Sequence, residues 1–448
     1  MKNRKRVRMA LVLSIVAVVI FTLLIFGMTI AAPKSIAGVV RISHGWGGTR
    51  TADFEMMVKD FQAKYPGVKV DSLVVANTDQ RHQQLLTAVA GGTPPEVGML
   101  GRVALGQFIT AGAVVPIDKF IASDKMNLNK IYYPSEVNTV KWKKKTYGLP
   151  VISGSNQHFL YWNKKLFREA GLDPEKPPTT WKELEEYAVK LTERDSKGEI
   201  QSIGIDMANA GRPVAENHWR AFIANNNGNI ISSNGKKILF GSSRAVEALQ
   251  YMLRVIEEQV GEGNYSWIQK NIGLTPGDYN VSFYRGKVAM IINGNWFPEM
   301  LRKEAPNVEW GISYVPYNSG NPKAKPIFEG VSGTVYCMMK GAKNPEAAWE
   351  LMKSISMGES YRRFMIDQSQ RPTTIPELNT SAKDIPGWPV FLQSMLNGRA
   401  MPLTPVTPQI MDVMKRYEEM VMMRTISPQE AVKKAAGEAQ SILNNAKW

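Results

Sequence analysis

Two hydrophobic periods alternate along the chain. The run 39–43 (VVRIS) is short, apolar and β-branched, and predicts a strand. In TADFEMMVKDFQAKYPG, Phe54, Met57, Val58 and Phe61 recur at helical spacing, so one face is apolar. Asp53 and Glu55 suit the first turn of that helix, and Pro66-Gly67 stop it. VKVDSLVV then predicts a strand, RHQQLLTAVAGG a helix ended by paired glycines, PEVGML a strand, and ALGQFITAGAVVPI a helix with a glycine stop. This β-α-β-α-β order implies a mainly parallel sheet with helices on both faces.

Gly148 and Pro150 punctuate the pattern, and a second α/β unit begins. Its first long helix is signed by Thr180 and Glu183 at capping-box spacing. Further on, the apolar run 288–292 predicts a buried strand, Asn293-Gly294-Asn295 a turn, and Trp296 follows directly. VEWGISYVPY reads as another strand, and 318–326 (NSGNPKAKP) as a polar connector. Asn344-Pro345 predicts a capped helix start, and Ser427-Pro428-Gln429-Glu430 a proline start with a capping box. A chain of 448 residues is too long for one ordinary core and predicts two lobes.

Charge changes the picture at one end. Lys2, Arg4, Lys5, Arg6 and Arg8 precede an uncharged apolar run over 9–32. That is the charge order of a secretory signal, and the run is also long enough to span a bilayer. A cleaved signal and an uncleaved anchor with its basic end inside both fit. Either places the rest of the chain outside the cytoplasm, in a periplasm or on the outer face of the cell membrane. No cysteine closes the run, so a lipoprotein anchor is not expected. The one cysteine, Cys337, has no partner for an internal disulfide, and its apolar setting predicts a buried thiol. The formal charge of +15 suits an anionic membrane surface or anionic ligands. The cations are scattered apart from Lys143-Lys144-Lys145, and no nucleic-acid motif accompanies them.

Catalytic signatures are missing together. His44, His82, His158 and His218 lack zinc-ligand spacing, so no metal or cofactor is expected. No GxSxG and no GxxxxGK[ST] occurs, and Gly45-Trp46-Gly47-Gly48 is not a dinucleotide fingerprint. A carboxylate pair of the kind glycosidases use leaves no spacing signature, so a secreted glycoside hydrolase stays open. Binding fits better. In open α/β sheets ligands collect beyond the carboxyl ends of the strands. There the loop HGWGGTR offers Trp46 and Arg50, and the loop after PEVGML offers Gly101 and Arg102. A sugar has apolar faces and a hydroxyl rim, and its site needs flat rings and planar polar groups.

Several pieces, in order, resemble the extracellular solute-binding proteins of bacterial ABC importers, in the carbohydrate-uptake group that includes maltose-binding protein. They are FEMMVKDFQAKYPGVKV, AVAGGTPPEV, YGLPV, YWNKKLFREAGLDPEKPPTTWKEL, FYRGKVAMIINGNW, GAKNPEAAWELMKSIS and QRPTTIPEL. The resemblance implies a two-lobed α/β fold of the type II periplasmic-binding-protein kind, with a multi-crossing hinge and a ligand cleft between the lobes. On that pattern 36–150 and 327–373 form one lobe, 151–317 and 374–448 the other, and 318–326 a hinge crossover, with 1–35 as signal or anchor. It implies a monomer that closes on a sugar and presents it to the transmembrane subunits of an ABC permease. Matching positions imply ligand contacts at Trp46, Asn156, Asn217, Trp219, Trp296, Glu329, Gly330 and Arg371, with Arg50 and Arg102 as further polar candidates. Trp46, Trp219, Arg102 and Arg371 have structural alternatives, as core rings or ion pairs. The first loop carries Gly48-Thr49 where maltose-binding protein has charged contacts, and Leu100 stands near its third-strand tryptophan, so maltose itself is not implied. A non-sugar ligand (a polyamine, a phosphorylated polyol or a peptide) fits the same architecture, and an anionic one would use Arg50, Arg102 and Arg371.

Overall fold

A computed structural model of the chain describes residues 36–48, 50–153, 158–207, 218–272, 278–330, 333–381 and 385–448. The apolar N-terminal stretch, Asn156 and Asn217 lie outside them. No described helix is long and apolar enough to cross a membrane.

Two five-stranded sheets organise the molecule. The first runs in the order Val68–Val74, Gly38–His44, Val97–Gly101, Thr334–Met338, Leu149–Ile152. Its first three strands are parallel, as the β-α-β-α-β reading requires. Thr334–Met338 runs antiparallel to both its neighbours, so Leu149–Ile152 shares the direction of the first three, and the mainly parallel sheet is made mixed by one reversed strand. The reason is topological. Thr334–Met338 returns to this sheet only after the chain has built the second one. The second sheet runs Trp310–Tyr314, Phe159–Asn163, Val288–Asn293, Ile200–Ile205, Glu193–Arg194, with one parallel pairing, between the third and fourth strands.

Continuous apolar strands mark sheets buried on both faces. In Phe159–Asn163, Leu160 and Trp162 enter one core while Phe159 and Tyr161 enter another. In Thr334–Met338, Tyr336 and Met338 face one core, and Val335 and Cys337 the other. Cys337 is fully buried, and burial pushes its thiol far up from the ordinary range. The helix Arg50–Lys64 buries the four residues its spacing selects, Phe54, Met57, Val58 and Phe61. Each such burial stabilises by about 1.5–3 kcal/mol.

Helix starts follow their signatures in part. Thr180 and Glu183 form a complete capping box. Ser427 caps the helix Pro428–Asn444, but Glu430 turns outward to Lys434 at 2.8 Å, so that box is half-formed. Asn344 sits at the N-cap of Pro345–Ser356 yet donates its amide to the Ala37 carbonyl, 2.8 Å away. A long-range partner has taken the side chain from its local role.

The chain leaves the first sheet after Leu149–Ile152 and enters the second at Phe159–Asn163, returns between Trp310–Tyr314 and Thr334–Met338, and comes back to the second unit after 371. Asparagines in 225–227 pin the second passage. Asn225 accepts from the Ile327 amide at 2.8 Å, and Asn226 accepts from Asn318 and Asn321 at 3.0 and 3.1 Å. The backbone pair Glu329–Gly330 runs parallel to Arg399–Ala400 and joins two passages directly. Gly106, on the helix Arg102–Thr110, lies against the Thr404 backbone, where a Cβ would stand 2.2 Å from the carbonyl oxygen.

Candidate functional site

The first sheet presents three parallel strand ends, and a buried cation ties them together. Arg81 donates to the Met99 carbonyl at 2.9 Å and to the Thr78 hydroxyl at 3.3 Å, and also reaches the Val75 carbonyl. A Cβ on Gly45 would stand 2.6 Å from its guanidinium, so the loop after the first strand needs glycine there. His82 accepts from the Gly101 amide at 3.0 Å, and His44 from the Trp46 amide at 3.2 Å. Burial, with Arg81 close by, pushes both imidazoles down to about 3, so they stay neutral acceptors. Sequence reading passed over Arg81 and His82 because RHQQLL looks like an ordinary polar helix start. The signal available was a charged residue at a position the helix turns inward.

Trp46 is 2% exposed and belongs to the core under the first sheet. Its indole N–H donates to the Tyr336 hydroxyl at 2.7 Å, and its ring meets Phe364 edge-on at 4.7 Å. Arg50 lies half-buried over that ring, 5.6 Å from its centroid.

The second sheet contributes the end of Val288–Asn293, which is buried throughout. Asn293 belongs to the strand and not to the turn. It donates to Asn280 at 2.8 Å and accepts from the Gly294 amide at 2.9 Å. Tyr161 donates to the Gly294 carbonyl at 2.8 Å. Trp296 then opens the helix Phe297–Glu304, half-buried, with its six-membered ring folded over Gly294. A Cβ on Gly294 would stand 2.1 Å from that ring. The turn is glycine because the indole occupies the side-chain space. Neighbouring Asn295 is fully buried, with neither amide atom hydrogen-bonded to a described residue.

One turn on, Glu299 joins the two sheet units. It is 3% exposed and pairs with Arg371, itself 2% exposed, at 2.8 Å. Lys303 shares the same carboxylate at 2.9 Å. Burial opposes ionisation of Glu299, but the Arg371 charge, helped by Lys303 and Arg50, outweighs it and holds the carboxyl below its usual range. Burial, then the Arg50 charge, pulls Arg371 down to about 9, still charged at neutral pH. Trp46, Arg50, Glu299 and Arg371 are thus linked in one cluster, and Trp296 stands three residues before Glu299 at the start of the same helix.

Two other candidates stand elsewhere. Trp219 is fully buried in the core of the second unit and donates its indole N–H to the Ala245 carbonyl at 2.9 Å, leaving no face for a ligand. Arg102 is buried against Glu136, which also accepts from Ser153 at 2.6 Å, while the Arg102 amide bonds the Gly333 carbonyl at 2.9 Å. It fastens a strand end to two chain passages, so its charge is spent structurally. The histidines, far apart in sequence, are not all far apart in space: the His158 and His218 rings lie 6.1 Å apart. Among the described residues no cluster of His, Cys, Asp and Glu is arranged to hold a metal.

Residues 47–355 match the sequence profile of the bacterial extracellular solute-binding proteins. The chain belongs to that family. A putative binding protein of Brucella abortus is 24% identical over 429 residues, covering 94% of this chain and 97% of the relative. The sn-glycerol-3-phosphate-binding periplasmic protein of Pectobacterium atrosepticum is 22% identical, covering 89% and 90%. Among solved structures, a Thermotoga lettingae ABC transporter solute-binding protein bound with α-D-tagatose superposes with a TM-score of 0.77 at 23% identity, over 91% of this chain and all of that one. The maltose/maltodextrin-binding domain of Bdellovibrio bacteriovorus, bound to maltotriose, gives 0.75 at 20% identity, over 91% and 100%. The solute-binding protein therefore has the two-lobed α/β fold of these receptors.

Proposed function

We propose that this solute-binding protein is the extracytoplasmic receptor of an ABC-type importer and binds a sugar or small oligosaccharide. One lobe takes 36–150 and 327–373, the other 151–317 and 374–448. Ligand draws them together through its preference for the closed form and is then handed to the permease. The observation that carries the reading is Trp296. A half-buried indole, held on Gly294, opens the helix whose next turn reaches Arg371 through Glu299. A preset flat surface of this kind is the feature a sugar ring needs. Trp296 is the stacking residue; Arg50, Asn156, Asn217, Glu329 and Gly330 supply polar contacts. The N-terminal segment serves as export signal or anchor.

A phosphorylated polyol is the second reading. Arg50, Arg371 and Lys303 all act on one buried carboxylate, Glu299, so the cluster carries excess positive charge. Relatives named for sn-glycerol 3-phosphate binding agree with it. Thermal shift and tryptophan fluorescence against neutral sugars, glycerol 3-phosphate and polyamines separate the readings. A ligand raises the melting temperature by mass action. Neutral sugars that shift it, with the shift lost in Trp296→Ala, support the first reading. A shift with glycerol 3-phosphate alone, weakened by salt, supports the second, and a shift with polyamines alone refutes both.

A further inference from the structure

Away from the Trp296 cluster, the chain builds a second aromatic site with a different charge character. Strand residues Lys141–Trp142 and Lys145–Thr146 form a tight hairpin. Its two-residue tip is Lys143-Lys144, with φ of 46° and 68°. Such tips favour Asn-Gly, since both residues must take left-handed backbone. Here two lysines hold that conformation and project from the tip. Trp142 stacks on Trp448 at 5.7 Å and 11° between planes. The Lys236 ammonium lies 5.7 Å from the Trp448 ring on the second unit's side.

A cavity of about 800 Å³ opens beside this stack, with Lys141, Lys143, Lys236 and Arg399 in its wall. A smaller one of about 320 Å³, on Lys143, Lys145 and Lys447, shares both tryptophans. Among the described residues no Asp or Glu lines either hollow. The five lysines are exposed. Elsewhere on this molecule exposed cations pair with acids again and again, as at Arg254–Glu185, Arg416–Glu438 and Arg424–Glu257. Five exposed lysines around two indoles, with one carboxylate nearby, Asp118, held by the Thr146 amide at 3.0 Å, are therefore a departure from the rest of the described surface.

We propose that this face is a docking surface for an anionic phospholipid bilayer. Lysine and tryptophan together suit the water–lipid boundary: the ammonium meets the phosphate layer, and the indole, apolar with one polar edge, sits at the headgroups. Four to eight clustered cations are enough to bind anionic lipid electrostatically, at roughly fivefold per cation. Nucleic acid is disfavoured as the occupant by the export reading, and an acidic protein is an outcome of the test. The role is to hold the receptor at the membrane surface where a permease works. It is independent of which solute the cleft takes.

The test is co-sedimentation of the full chain with vesicles of phosphatidylglycerol mixed into phosphatidylcholine, against phosphatidylcholine alone. The N-terminal segment acts equally in every protein compared, so the readout is the difference between wild type and variant. Lys141→Gln/Lys143→Gln/Lys236→Gln is expected to weaken binding to the anionic vesicles by about 10- to 100-fold at low salt, to leave binding to neutral vesicles unchanged, and to lose its effect at high salt. Trp448→Ala is expected to weaken binding to the same vesicles even at high salt. Because the lysines are exposed, an unchanged melting temperature verifies folding. Equal binding of the triple-lysine variant and wild type to anionic vesicles overturns the proposal, as does an equal loss on neutral vesicles. Restored binding to an acidic protein partner with no lipid dependence also overturns it.

Discussion

Replacing Glu299 by Gln isolates the contact that links the two sheet units. Wild-type Glu299 and Arg371 are 3% and 2% exposed and 2.8 Å apart. The substitution leaves Arg371 charged, buried and next to Arg50, with its Nε already lacking a described partner. Breaking a buried pair by removing one charge costs about 3–5 kcal/mol. Gln keeps the size and one acceptor, so the lower end, about 3 kcal/mol, applies. The Lys303 contact adds little, since that ammonium is 27% exposed and such pairs contribute about 0–1 kcal/mol. Urea unfolding followed by tryptophan fluorescence measures the effect. With a slope of roughly 3 kcal/mol/M, the midpoint falls by about 1 M. The double variant Glu299→Leu/Arg371→Met, which removes both charges, is expected to recover more than half of that loss. A midpoint drop below about 0.3 M for Glu299→Gln would be the value of a solvated pair. It would refute the view that the pair is shut away from water where the units meet.

Gly294→Ala is expected to lower ligand affinity about as much as Trp296→Ala while costing about 1–3 kcal/mol of stability, because the new methyl collides with the indole at 2.1 Å; titration calorimetry with the ligand found by the panel checks it. The pH dependence follows from signs. His44 and His82 fall from 6.5 to about 3 in the folded state, so between those values the unfolded chain holds more protons. Stability is therefore full above pH 6.5 and lost as pH falls toward 3, at up to about 1.4 kcal/mol per pH unit per histidine. Glu299, held below 4.5, adds a loss of the same sign beginning near that pH. Urea midpoints at pH 7, 6 and 5 test this: His82→Gln flattens the slope between 6.5 and 5 if the reasoning is right, and leaves it unchanged if it is wrong.

Local rules carried far into this chain. Hydrophobic spacing selected the buried face of Arg50–Lys64, and alternate positions of Phe159–Asn163 went to opposite cores. The Thr180–Glu183 box formed because both partners lie within one turn. Where a side chain had another partner, the capping reading failed: Asn344 went to distant Ala37, and Glu430 to Lys434 one turn on along its own helix. Indoles show the same limit. Trp46, Trp219 and Trp296 all stood as ligand-contact candidates by matching position, since an indole suits a core and a cleft equally. Trp219 found the Ala245 carbonyl and a closed core, Trp46 found Tyr336 and Phe364, and Trp296 alone kept a partly open face over Gly294.

The sequence by itself determined the α/β character, most element positions, the family and the Trp296 turn, because these depend on neighbours within a few residues or on ordered motifs. Tertiary structure decided the rest. It made the first sheet mixed by bringing Thr334–Met338 back late. It turned Arg102 into a fastening and Arg371 into one half of a buried pair, through partners 34 and 72 positions away. It put Arg81 beneath three strand ends, and Trp142 against Trp448. A charge or a ring has no fixed meaning until the fold supplies its partner, and no spacing rule reaches that far along a chain.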